Sequence, residues 1–354
     1  MQPIFLASVT PYAGKNVVAL GLAQRFRREN KSVGFFKPIG PLPMHVEGHS
    51  TDEDAVFFKK VLDLKDPLDA LCPVVLNDET VADLLRGVTD DMREKVLSAY
   101  KAVAASKDVV IAVNMGRLSC GLTLGYPMHK FVRDVNAKVI VVDRYRWPVE
   151  TLDGMMHIKN LVPDLFCGVV FNRIPGARTS HIEQAVRPFL KSRGIEVFGV
   201  IPDDATLGAV PVGELVEKLD GRVLCGGDHL DVLAEHFSIG AMNAEAALRF
   251  FQRIPNKAVI TGGDRADIQL AALQTSTRCL ILTGDLYPNE RILTQAEEQG
   301  VPVILASQDT SVAAEVCEKL HGHMSLQSER KIARVEELID QCLDWELLDA
   351  CLAK

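Results

Sequence analysis

The stretch Ser8-Val9-Thr10-Pro11-Tyr12-Ala13-Gly14-Lys15-Asn16 constrains this chain more than any other. It follows the apolar run Ile4-Phe5-Leu6-Ala7 and opens a long segment with helical spacing. Strand, turn and helix in that order bring backbone N–H groups and a lysine to a helix N-terminus, which favours a phosphate. Gly14 and Lys15 stand where a phosphate loop has its Gly-Lys pair. Ser8 or Val9 replaces the early glycine, and Asn16 replaces the hydroxyl residue that usually holds Mg²⁺. A glycine-containing turn with an incidental lysine is the plain alternative.

The first ~200 residues alternate short apolar runs with helical patterns. Strands are expected at 3–8, 32–37, 108–114, 138–143, 166–172 and 196–201. Helices are expected at 15–29, 52–64, 90–105, 127–135, 149–161 and 179–193. Runs such as VVIAV and VIVV are apolar throughout, as in strands buried on both faces of a parallel sheet. The fold class is therefore α/β, a doubly wound and mostly parallel sheet, followed by a smaller α/β layer. The expected domains are 1–204, 205–327 and a helical tail at 328–354.

Ligands of such sheets bind at the carboxyl ends of the strands. Lys37 ends the second strand, on the same edge as Lys15 and at an adjacent strand end, so the two make a local positive field. A solvated lysine before Pro38 is the alternative. The polar loop after it holds His45, Glu47, His49, Asp52, Glu53 and Asp54. The two histidines straddle a glycine after two prolines and make a poor metal pair. Asp54 is the best candidate to assist Mg²⁺, and Thr51 or Asp52 caps the next helix. The third strand ends at Asn114, where a phosphate-loop enzyme needs a carboxylate. Asp143 and the pair Asn172-Arg173 end the next two strands. Asp143 could serve simply as a partner for a neighbouring arginine.

The whole chain sets bounds on partners. A net charge of −8 over 354 residues argues against nucleic acid. No apolar run approaches the ~18 residues of a membrane span. The eight cysteines show no C-x-x-C spacing, so reduced thiols in a cytoplasmic protein are expected. In the second half, Thr261-Gly262-Gly263-Asp264-Arg265 places a glycine pair between a strand and a helix. Asp264 as a cap is one reading. The other is an anionic effector held at Gly262, Gly263, Asp264 and Arg265.

The phosphate loop, KPIG, TDEDA, GVVFNRIPG and FGVIPDD, in that order, resemble the dethiobiotin-synthetase-like region at the start of bacterial phosphotransacetylases. AVITGGDRADIQLAAL resembles the DRTGG domain that follows in those proteins. The resemblance implies that Gly14 and Lys15 contact the phosphates of ATP, that Lys37 faces the phosphates or the substrate, and that Asn16 lies in the same nucleotide site. It also implies that Asn172 reads the adenine and that Asp54 helps to hold Mg²⁺, where the amide oxygen of Asn16 could join it; a homodimer is the default expectation, with room for a protein partner. It further implies a chain without the acetyltransferase domain. The loss of the strand-three glutamate, of the loop's first glycine and of the Mg²⁺-binding hydroxyl speaks against ligase chemistry. The leading expectation is a regulatory nucleotide-binding protein. An ATP-dependent ligase or slow ATPase, and a ligand-free interaction subunit, are the alternatives.

Overall fold

The computed structural model describes residues 2–46, 48–87, 91–323, 326 and 328–353. Its contacts divide the chain into two compact units, Met1–Asp203 with Gln327–Lys354, and Asp204–Leu326.

The first unit is built on six strands: β1 (Ile4–Ala7), β2 (Val33–Phe36), β3 (Val109–Val113), β4 (Lys138–Asp143), β5 (Phe166–Ile174) and β6 (Glu196–Pro202). They lie in the order β6-β5-β4-β1-β3-β2, and all five pairings are parallel. Val109–Val113 and Lys138–Asp143 are buried at every position, which is why their sequences do not alternate. From β1 the chain moves to β2 on one side. From β3 it moves to β4 on the other. The crevice where a doubly wound sheet opens for ligands therefore lies at the ends of the neighbours β1 and β4. β3 also lies between β1 and β2, so Lys15 and Lys37 do not leave adjacent strands, contrary to the sequence expectation.

Helix α1 (Lys15–Arg28) starts at Gly14, whose φ of 83° lies in the left-handed region that glycine adopts most easily. Helix α2 (Glu53–Val61) is capped by Asp52, which accepts from the Asp54 N–H at 2.9 Å. The segment read as a polar loop before it is a β-hairpin, Pro43–Val46 against His49–Asp52. Met-His-Val and His-Ser-Thr alternate about a turn at Gly48, φ 83°, which is a strand signature in polar dress. Glu47 and the side chain of His49 lie outside the described residues, as do Asp90 and the side chains of His321 and His323. The helix expected at 179–193 begins earlier and is broken by a π turn at Ile182–Val186. Pro188, in the first turn of the helix Arg187–Ser192 that follows, has no N–H to continue a regular ladder.

The C-terminal helices Glu329–Cys342 and Trp345–Leu352 belong to this first unit. Arg28 on α1 makes a two-pronged contact with Asp340, 2.7 Å at each nitrogen. The Asp344 N–H donates to Phe198 O at 2.7 Å, and Leu343 bridges to Gly199, so the tail covers the edge strand β6. Cys351 is joined to Cys167 on β5 in a disulfide, with their Cα atoms 5.8 Å apart. This corrects the expectation of eight reduced thiols. The two are 184 positions apart, and only the return of the tail brings them together.

The main sheet of the second unit has five strands: β7 (Arg222–Cys225), β8 (His236–Ile239), β9 (Lys257–Gly262), β10 (Thr277–Thr283) and β11 (Val303–Leu305). The order is β7-β11-β10-β9-β8, parallel except for β7. Successive residues feed opposite faces. Val259, Leu280 and Leu282 pack with Phe251 and Ile268, whereas Ala258, Ile260 and Ile281 pack with Leu215 and Cys317. Among the described residues no helix is long and apolar enough to cross a membrane.

Gly21 tests how tightly the tail is docked. A Cβ there would stand 2.5 Å from Cγ1 and Cγ2 of Ile339. Gly21→Ala is expected to lower stability by about 1–3 kcal/mol through overpacking, although alanine is the better helix former. Denaturant unfolding measures it. In an Ile339→Ala background the same change should cost less, because the obstructing atoms are gone.

Candidate phosphate-binding site

Four fixed points hold the loop between β1 and α1. Asp143, at the end of β4, accepts from Val9 N at 2.6 Å, Thr10 N at 2.8 Å and Thr10 Oγ1 at 2.9 Å. Asn172, in β5, donates to Ala13 O at 2.9 Å. Arg117 donates from Nε to Val9 O at 3.0 Å, and Ser8 N donates to Gly116 O at 3.2 Å. The strands β4 and β5 and the turn after β3 therefore fix the loop's shape before any ligand arrives. Asp143 is fully buried, and burial pushes its carboxyl above the ordinary value against the hydrogen bonds from Thr10 and Val9. The sequence did not single out Asp143 for this work. The signal was an acid at a strand end whose backbone partners lie 133 and 134 positions away.

Within this frame Lys15 is 8% exposed, and its ammonium donates to Ser8 Oγ at 3.0 Å. It makes no ion pair among the described residues. Burial first, then the nearby Lys37, lowers its pKa from 10.5 to about 8, against the pull of Asp54 and Asp143. The N-terminus of α1 has no side-chain cap and no acid in its first turn. Its dipole and the lysine thus point the same positive sign at the same place. Asn114, at the end of β3, is 1% exposed, and both its amide oxygen and nitrogen are buried without a hydrogen-bond partner. A buried amide left unpaired costs about 1–3 kcal/mol. Asn114 follows the strand beside β1, on the carboxyl edge where ligands of such sheets bind.

Lys37 is differently occupied. It is 2% exposed and pairs with Asp52 at 2.9 Å and, more closely, with Asp54. Burial lowers its pKa, but Asp54 and Asp52 more than reverse that, so it stays charged beyond the ordinary lysine range. Asn16 donates from Nδ2 to Asp54 Oδ1 at 2.7 Å. Asn16 and Asp54, expected to hold Mg²⁺ together, hold each other. Every oxygen of the two acids has a protein donor: Lys37 and Asn16 on Asp54, Lys37 with the Asp54 N–H and the Leu42 N–H on Asp52. Among the described residues no group of three or more His, Cys, Asp or Glu is placed to hold a metal. A resident Mg²⁺ does not fit this donor set without displacing Lys37. The Asn172 amide nitrogen, expected to read a base, is turned to the loop's own carbonyl.

In the second unit Gly262 and Gly263 close a turn against other parts of the same unit. A Cβ on Gly263 would fall 1.6 Å from Leu286 O, so the residue lets two backbones touch. Gln269 Nε2 donates to Gly262 O and Gly263 O at 3.0 and 3.1 Å. Arg265 pairs with Asp267 at 3.0 Å and donates to Met242 O at 2.9 Å. The cap position of the helix Ala266–Leu273 is Arg265 and carries no side-chain cap, so Asp264 is not the capping residue.

The buried lysine makes stability depend on pH in a defined direction. The unfolded chain keeps the Lys15 proton up to about pH 10.5, and the folded chain releases it near pH 8. Between these values the unfolded state binds more protons, so folding gains from rising pH. The full gain is on the order of 3 kcal/mol. Lys15→Met is expected to be more stable than the parent at pH 7. The difference should shrink from pH 8 to 10.5 in thermal or denaturant unfolding of the two proteins side by side.

A family model for an AAA domain, AAA_26, matches residues 2–210, and one for a DRTGG domain matches residues 214–321. Phosphate acetyltransferase of Synechocystis sp. (strain ATCC 27184 / PCC 6803 / Kazusa) is 23% identical over 360 residues, covering 98% of this chain and 51% of that protein. The phosphate acetyltransferase of Pseudomonas aeruginosa is 25% identical over 374 residues, covering 98% of this chain and 52% of its own. The ATP-dependent dethiobiotin synthetase of Methanocaldococcus jannaschii is 23% identical over 207 residues, covering 56% of this chain and 92% of the synthetase. The chain spans about half the length of the phosphate acetyltransferases it matches. With the loop, its clamps and the strands that carry them inside a match that takes in more than half of its residues, the chain belongs to the AAA_26 family of AAA domains and continues into a DRTGG domain.

Proposed function

We propose that this chain binds the phosphates of a nucleotide, ATP or a close relative, at Lys15 and uses the bound state as a regulatory signal rather than for turnover. The observation that carries the reading is the buried Lys15, bonded to Ser8 but without an ion pair among the described residues, at the uncapped start of α1. An anion there relieves the desolvation of the lysine and completes the helix terminus in one step. Asn114 supports binding over chemistry. It offers neutral hydrogen bonds where catalysis of phosphoryl transfer needs a carboxylate. The closed network of Lys37, Asp52, Asp54 and Asn16 supports it too, since both of its acids are already taken up by protein donors. In this reading the DRTGG domain passes the signal on, by pairing with a second copy, by docking on a protein partner or by sensing a small effector at Gly262–Arg265. A cytoplasmic location suits a protein that reads a nucleotide pool.

An ATP-dependent enzyme is the second reading, favoured by the match to a synthetase that is ATP-dependent. The two readings differ in phosphate release.

Calorimetric titration with ATP is expected to show one site in the parent, and Lys15→Ala should weaken it by at least about tenfold, or ~1.4 kcal/mol. Sustained release of inorganic phosphate would sink the regulatory reading in favour of the enzyme. Absence of ATP binding in the parent would remove both. Chelating Mg²⁺ is expected to change the ATP affinity by less than about threefold, because Asp52 and Asp54 are held by protein donors and not free to grip the ion.

The affinity should also fall as pH rises above 8. The anion needs the ammonium form of Lys15, whose free pKa is about 8. Each further unit then costs about tenfold until the proton is also lost from the complex. In Lys15→Met that slope should vanish.

A further inference from the structure

A second cationic feature stands at the ends of β4 and β5, immediately beyond the two residues that clamp the loop. Arg144 follows Asp143, and Arg173 follows Asn172. With Arg146 and Arg178 they line a pocket of about 330 Å³ that contains one carboxylate, Asp203. Four guanidiniums around one acid are out of place in a chain of net charge −8. Like charges gathered at one point repel unless something negative stands between them.

The arginines differ in what holds them. Arg173 pairs with Asp203 at 3.3 Å, and its backbone has a φ of 56°, an uncommon conformation for a residue other than glycine. Arg178 donates from Nη1 to Tyr145 O at 2.8 Å, which spends one of its five donors. Among the described residues the side chains of Arg144 and Arg146 make no hydrogen bond and no ion pair. The Nε of Arg144 is buried with no partner at all. Arg146 rests over the ring of Trp147, 5.8 Å from its centre, which leaves its donors free. A buried N–H of a charged group without an acceptor is costly, and a guanidinium fork fits the oxygens of a phosphate in pairs.

We propose that this pocket is a phosphate site separate from the Lys15 cradle, taking a group with two or more negative charges such as a phosphate ester or a diphosphate. A singly charged carboxylate would leave most of the excess charge unanswered. Two sources share this chemistry: a phosphate at the far end of the ligand that the loop holds, or a separate phosphorylated molecule. The site stands whether or not the loop takes a nucleotide, because its donors are not those of Lys15.

The test is a calorimetric titration of the full chain carrying Lys15→Ala, with inorganic pyrophosphate as the probe. One site is expected. Adding Arg144→Gln and Arg146→Gln should weaken it at least about tenfold. Among the described residues neither side chain makes a hydrogen bond or ion pair, and Arg146 only rests over the neighbouring Trp147, so the variants should unfold at the temperature of the Lys15→Ala chain, and thermal unfolding checks this. No pyrophosphate binding in the Lys15→Ala chain, or binding that ignores the two arginine substitutions, overturns the proposal. The parent saturated with ADP separates the sources. Pyrophosphate that still binds in an Arg144-dependent way marks a separate ligand, and pyrophosphate excluded by ADP marks one ligand spanning both sites. A parent that fails to bind ADP counts against the nucleotide reading of the loop and leaves the Lys15→Ala result intact.

Discussion

The hydrogen bonds from Val9 and Thr10 to Asp143 are the constraint on which the first unit's function turns. They fix the loop from one side while Asn172 and Arg117 fix it from others. A loop so held keeps Gly14 in its left-handed turn and the start of α1 open. The lysine that follows has nowhere to go but inward, onto Ser8. The rigidity is prepaid by the sheet, and an incoming anion need not organise its own cradle.

Two lysines of the same site were given opposite electrostatic lives. Lys37 is neutralised within the fold by Asp52 and Asp54, and breaking that buried cluster would strand a charge. Lys15 sits nearby without a bonded acid and is easier to deprotonate than an ordinary lysine. The contrast separates structure from readiness. One ammonium holds the hairpin and α2 in place. The other waits for a charge that the fold does not provide. Arg144 and Arg146, just beyond Asp143, repeat the second condition among the described residues.

The tail shows how far apart the parts of one unit lie in sequence. Helix Glu329–Cys342 is separated from β6 by the whole second unit, yet it packs on α1 and its end covers the edge of the sheet. Its apolar spacing at Ile332, Val335, Leu338 and Ile339 announced that one face would be buried. It did not say against what. Gly21 on α1 and Gly199 on β6 answer that question, since each leaves a gap that the tail fills.

The sequence alone determined the six strands of the first sheet, their parallel character and the strand-turn-helix that makes the loop. Those features are local: unbroken apolar runs, a Gly-Lys pair, helical spacing. The two-layer pattern of the second unit was legible for the same reason. The hairpin at Pro43–Asp52 was not, because most of its residues are polar and only one glycine, Gly48, marks its turn. The sheet order was not, so β3 was missed between the two lysines. Only tertiary structure decided that Asp143 grips the loop, that Asp54 answers Lys37 and Asn16, that Asn172 turns to a carbonyl and that Cys167 meets Cys351. These are contacts between residues tens to hundreds of positions apart. A carboxylate at a strand end looks the same in sequence whether it holds a metal, a lysine or a loop, and its neighbours in space make the choice.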